Sequence, residues 1–116
     1  MKKQYRVKKS SEIESIIRNK EFSSNKYFTV YKKENGETTY FRYAISVGKK
    51  IGNAVHRNRI KRQVRSIVDN ICVIDFKMDV FIVVKPTVNN IEFLEMKNQL
   101  IYLFKKININ IKGEKN

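Results

Sequence analysis

Apolar residues recur along the chain at two periods, and each period predicts its own elements. Ile13, Ile16 and Ile17 stand at helical spacing beside Ser11 through Glu14, a capping-box pattern in which serine takes a free backbone N–H and glutamate reaches back. A short first helix is expected over 11–21. Residues 26–33 and 39–47 are dense in Tyr, Phe, Thr and Val and read as strands, and Glu34-Asn35-Gly36-Glu37 between them carries the Asn-Gly pair of a tight turn. These two strands are predicted to form a β-hairpin.

Helical periodicity returns at Ala54 and runs to Ile71 without a breaker, behind a segment punctuated by Gly48 and Gly52. Residues 79–85 (DVFIVVK) are almost continuously apolar and β-branched, as in a strand covered on both faces, and Pro86 stops them. With Asn90 as N-cap, the stripe Phe93, Met96, Leu100, Leu103, Phe104 and Ile107 predicts a third helix to about Lys106. The tail INIKGEKN is polar and is expected to fray. The order α-β-β-α-β-α suggests a small α+β sandwich; whether a further short strand precedes residue 79 stays open.

Length and charge narrow the function. A chain of 116 residues with 41% hydrophobic positions supports one domain, 1–116, with one modest core. A formal charge of +14 opposes compaction by self-repulsion, a burden that suits a polyanionic partner. The single cysteine, Cys72, lies in the apolar run Ile71-Cys72-Val73-Ile74 and excludes any disulfide or cysteine cluster within the chain. Without an apolar h-region or a run long enough to span a bilayer, the expectation is a soluble cytoplasmic protein with no membrane partner.

The charge is concentrated. Residues 49–65 (KKIGNAVHRNRIKRQVR) contain Lys49, Lys50, Arg57, Arg59, Lys61, Arg62 and Arg65 and no carboxylate. On a wheel of about 100° per residue with Ile60 at zero, Val64, Ile67, Val68 and Ile71 form the core stripe, while Asn58, Lys61, Arg62 and Arg65 spread over about 100–200°. Arg57 and Arg59 flank that face. Like-charged i, i+4 pairs such as Arg57-Lys61 and Lys61-Arg65 repel by a few tenths of a kcal/mol each, so the face is costly without an anionic partner. Its donors suit phosphate oxygens and sugar hydroxyls. Asn58 could meet a phosphate, a 2′-hydroxyl, a hydrated metal or a neighbouring turn. Lys49-Lys50-Ile51-Gly52-Asn53 adds cations at a helix entrance, but it lacks the Gly-Lys-Ser/Thr of a P-loop.

The stretch from Ser46 through Arg65, with its Arg57-Asn58-Arg59 core, closely resembles the signature of the bacterial ribonuclease P protein component. The Arg6-x-Lys8-Lys9 start, Phe28-x-x-Tyr31, Lys85-Pro86 and Leu103-Phe104-x-Lys106 resemble that family in the same order. The resemblance implies an α-β-β-β-α-β-α sandwich with a mostly antiparallel sheet and a left-handed β-α-β crossover. It also implies the protein subunit of a ribonucleoprotein whose catalytic RNA, using Mg²⁺ held mainly by the RNA, removes the 5′ leader of precursor tRNA. The partners would be that RNA and precursor tRNA, with no protein partner required.

By the same resemblance Lys49, Lys50, Asn53, Arg57, Asn58, Arg59, Lys61, Arg62 and Arg65 face RNA. A groove between the first helix and the sheet would hold the leader at Ile13, Ile17, Tyr27 and Tyr31, with isoleucine at two positions where the family commonly has phenylalanine. Each ring could equally pack in the core. No catalytic residue is expected in the protein: His56 has no partner histidine and falls at the rim of the apolar stripe, and no triad or zinc spacing occurs. The alternatives are a ribosomal or other structural RNA-binding protein, and a membrane-surface amphipathic helix.

Overall fold

The computed structural model describes residues 5–36 and 39–113. Three helices and four strands follow in the order α1 (Ser10–Arg18), β1 (Glu21–Ser24), β2 (Phe28–Glu34), β3 (Arg42–Val47), α2 (Ala54–Ile71), β4 (Met78–Val84), α3 (Phe93–Lys106). This is the α+β order that the family resemblance implied. The sheet runs β1-β2-β4-β3, with β1/β2 and β2/β4 antiparallel and β3/β4 parallel.

The expected hairpin between the second and third strands does not form, because β4 lies between β2 and β3. Asn35 is instead held against the β4 end: it is buried, its backbone N–H donates to Lys77 O and its amide to Asp79 Oδ1 (2.9 Å). Glu37 of the expected turn lies outside the described residues. The tight hairpin is instead β1/β2, where Asn25 Oδ1 accepts from the N–H groups of Tyr27 and Phe28 (both 2.9 Å), an Asx turn. The additional strand is therefore β1, upstream of the expected pair rather than before residue 79. Lys20, at φ 60°, turns the chain from α1 into it.

Three smaller expectations are corrected. Helix α1 starts at Ser10 with Lys9 as N-cap and no side-chain cap, so Ser11 stands inside the helix and no capping box forms. Pro86–Asn90 forms a 3-10 turn, and Glu92, not Asn90, is the N-cap of α3. The tail is pinned as far as Lys112: Asn108 at φ 60° reverses the chain, Ile109 and Ile111 are buried, and Lys112 N–H donates to Ile71 O (2.8 Å). Burying those two isoleucines, at about 1.5–3 kcal/mol each, outweighs the freedom of a short polar tail. Residues 114–116 of that tail lie outside the described residues.

The main core lies between one sheet face and α2/α3. Phe28, Val30, Tyr43, Val80, Ile82 and Val84 meet Ile60, Val64, Ile67, Val68 and Ile71 of α2 and Met96, Leu100, Leu103 and Phe104 of α3. The α2 stripe is the one periodicity predicts. On the opposite sheet face α1 seals a smaller cluster of Val7, Ile16 and Phe81, edged by Ile13, Tyr31, Ala44 and Val83. Below it Arg42 binds Asp79 with two donors (Nε–Oδ1 3.0 Å, Nη2–Oδ2 2.8 Å) and reaches Glu12 of α1 (Nη2–Oε2 2.6 Å). These hydrogen bonds, Asp79's first, raise the Arg42 pKa still further and lock its charge.

Candidate nucleic-acid interface

Helix α2 is an 18-residue rod, about 27 Å long at 1.5 Å per residue. Asn53 caps it, its Oδ1 accepting from His56 N–H (2.9 Å). With the stripe Ile60-Val64-Ile67-Ile71 clamped to the sheet, Asn58, Arg59 and Arg62 are exposed, and Arg57, Lys61 and Arg65 are half-buried along their stems. Lys49 and Lys50 are exposed on the 3-10 turn Lys49–Ile51. None of the ion pairs among the described residues involves these cations. The Asn58 amide makes no hydrogen bond to the described protein, which removes the neighbouring-turn role. Asn53 divides its capacity: its side-chain oxygen is committed to the helix cap.

The second surface is the sheet face that α1 only partly covers. Register places Phe22, Tyr31, Phe81 and Ala44 opposite one another across all four strands. The three rings form a ladder, Phe22 to Tyr31 at 5.5 Å and Tyr31 to Phe81 stacked at 6.1 Å between centroids. Phe22 is 53% exposed at the sheet edge. Ile13 borders this row from α1, and Ile17, 39% exposed, stands on the same helix. Tyr27 does not join them. It lies in the loop before β2, where strand alternation no longer applies, and packs on the α2/α3 side of the sheet beneath the Lys26 ammonium (5.1 Å).

Phe22 and Phe81 are the ring positions that sequence reading did not assign. Phe81 was hidden in a run apolar on both faces; Phe22 sits in Glu21–Ser24, a strand too short for periodicity to reveal.

The two surfaces meet. A cavity of about 260 Å³ is lined by Arg6, Lys8, Ile13, Tyr43, Ala44 and Arg65, so the basic helix shares it with Ile13 and Ala44, the aliphatic neighbours of Phe81. Burial pushes the Tyr43 hydroxyl well above its ordinary pKa, with Asp69 adding to the effect, so it stays a neutral phenol.

A family model described as Ribonuclease P matches residues 1–108. The chain belongs to the ribonuclease P protein family. It is 40% identical over 107 residues to the ribonuclease P protein component of Bacillus cereus, covering 91% of this chain and 93% of that one. The Levilactobacillus brevis component is 36% identical over 106 residues, 90% of each chain. Among solved structures, the Staphylococcus aureus RNase P protein superposes with a TM-score of 0.81 at 31% identity, covering 90% of this chain and 96% of that one. The Thermotoga maritima RNase P protein gives 0.75 at 26%, with 88% and 96% covered. As a ribonuclease P protein the chain takes part in tRNA processing with an RNA partner. No helix among the described residues is long and apolar enough to cross a membrane.

Proposed function

We propose that the chain is an accessory subunit that binds the catalytic RNA of ribonuclease P and the 5′ leader of precursor tRNA, contributing position and charge rather than bond-breaking groups. One observation carries the reading: the carboxylate-free cationic stretch 49–65 ends at Arg65, whose cavity also holds Ile13 and Ala44 at the border of the Phe22-Tyr31-Phe81 row, a row that is open to solvent at Phe22. Lys49, Lys50, Arg57, Asn58, Arg59, Lys61 and Arg62 meet phosphates and ribose, which lowers repulsion between the two RNAs. The row Phe22-Tyr31-Phe81, bordered by Ile13 and Ile17, takes unpaired leader bases, and the isoleucines bury surface where stacking is left to Tyr31 and Phe22. Glu12 and Asp79, the carboxylates where α1 meets the sheet, are both committed to Arg42 and do not fit a hard-cation cage, so in this reading Mg²⁺ belongs to the RNA.

Holding the leader in a fixed direction beside the helix places the scissile phosphodiester relative to the RNA active site. The direct test is cleavage of precursor tRNA by the cognate catalytic RNA at low Mg²⁺, with and without folded protein; no stimulation would remove the reading. Tyr31→Ala or Phe22→Ala should weaken binding of leader-bearing substrate by roughly 1–3 kcal/mol per unstacked base. Affinity for mature tRNA should not move, and equal losses on both substrates would place the rings outside the leader path. A structural RNA-binding protein without this function would show no dependence on the leader at all.

A further inference from the structure

The signature cations come from two segments, the Lys49–Ile51 turn and α2, joined through Gly52 and Asn53. Gly48 precedes the turn with open space around it, and Gly52 follows it. The turn's own backbone hydrogen bonds run from Ile51 N–H to Gly48 O at 3.1 Å and from Gly52 N–H to Lys49 O at 3.3 Å. A third element joins them. Asn89, on the Pro86–Asn90 turn, donates from Nδ2 to Ile51 O (2.9 Å), and its Oδ1 lies 2.6 Å from His56 Nε2 in the first turn of α2.

The chemistry of this pair is determined. A backbone carbonyl only accepts, so the Asn89 NH₂ must face Ile51 and its oxygen must face the ring; His56 Nε2 therefore carries the hydrogen. The ring also lies so close over Gly52 that a Cβ there would stand 2.8 Å from His56 Cδ2, so glycine is needed for the approach. His56 N–H in turn donates to the Asn53 cap. Ile51 and Val88, both buried, seat the two short turns on the core beneath the exposed amide.

We infer that Asn89 is a positioning residue for RNA binding: acting through His56 and Ile51, it brackets the Lys49-Lys50 turn to the start of α2, so that cations from both segments address one phosphate path. The inference rests on the proposed RNA contacts of Lys49 and Lys50. Asn89 itself need not touch RNA. Its removal leaves the core and the buried Ile51 in place but unties the Lys49-Lys50 turn from the start of α2, so the two ammonium groups must be ordered anew at each binding event.

The test uses the full chain and the cognate ribonuclease P RNA. Asn89→Ala should keep the melting temperature within about 2 °C while lowering RNA affinity about three- to tenfold. It should also reduce the slope of log K against log salt, which falls by about 0.7–0.9 for each phosphate the protein no longer neutralises. In a Lys49→Ala/Lys50→Ala background the same substitution should change affinity less than about twofold, because the groups it positions are gone. His56→Gln, whose side-chain NH₂ can still donate to Asn89, should retain binding, whereas His56→Ala should reproduce Asn89→Ala. The single histidine gives an independent readout: ¹⁵N shifts of neutral His56 should report the Nε2–H form, and Asn89→Ala should relax that preference. An Nδ1–H ring in the native protein, or a full additive drop in affinity in the lysine-free background, would overturn the inference. Should Lys49→Ala/Lys50→Ala leave affinity unchanged, the inference falls with the assignment of those lysines, and the ¹⁵N result then shows whether the bracket exists as structure alone.

Discussion

Asp79→Ala is expected to lower unfolding stability by about 3–5 kcal/mol, the range for breaking a buried pair by removing one partner. Asp79 is 7% exposed and accepts from Arg42 Nε and Nη2 and from the Asn35 amide. Alanine would leave the guanidinium, whose side chain is 13% exposed, without its bidentate partner and the Asn35 amide without its acceptor. Domains of this size are stable by only about 5–15 kcal/mol, so the variant should approach marginal folding. Glu12→Ala removes the outer partner, 27% exposed, and should cost about 1 kcal/mol, closer to a surface pair. Urea midpoints for the two variants decide it. A change below about 1 kcal/mol for Asp79→Ala would mean that water reaches Arg42 and the network contributes little.

Arg59→Ala combined with Arg62→Ala should reduce the slope of log K for RNA against log salt by about 1.4–1.8, two phosphates at roughly 0.7–0.9 each. Both arginines are exposed and neither enters an ion pair among the described residues, so no fold stabilisation disappears with them. Removing the like-charge crowding should even raise helix stability slightly. Affinity at moderate salt should fall at least about tenfold while the thermal midpoint holds. An unchanged slope in correctly folded protein would show that these guanidinium groups face water in the complex, and the RNA path would have to be moved towards Arg57, Lys61 and Arg65.

The parts of this fold that follow from periodicity were legible. The stripe Ile60, Val64, Ile67, Val68 and Ile71 and its cationic counterpart lie where a 3.6-residue period puts them, and the continuous apolar run around Val80–Val84 is indeed covered on one face by the main core and partly on the other by α1. Strand partnership was not legible, because it is a long-range choice. Asn35-Gly36 carries a strong local turn signal, yet the strand that Phe28–Glu34 pairs with comes from residues 78–84, through backbone hydrogen bonds that leave no mark in nearby sequence. For the candidate site, the cations could be assigned because charge of one sign on one helix face is a local pattern. The ring row could not be, since Phe22, Tyr31 and Phe81 become neighbours only through register. Tyr27 shows the converse limit: alternation pairs it with Tyr31 on one face, but the strand starts only at Phe28, and an Asx turn rotates Tyr27 to the other side.

The central position of β4 has a consequence for how the chain comes to its shape during synthesis. Until residues 78–84 have left the ribosome, Phe28–Glu34 and Arg42–Val47 have no strand to join them, and the apolar side of α2 has only half a sheet to rest on. Contacts that close late and over long chain separations make folding slow and leave unsatisfied strand edges exposed meanwhile. A nascent chain halted near Ile71 is therefore a sticky, strongly cationic intermediate, and completing one seven-residue strand is what turns it into a domain.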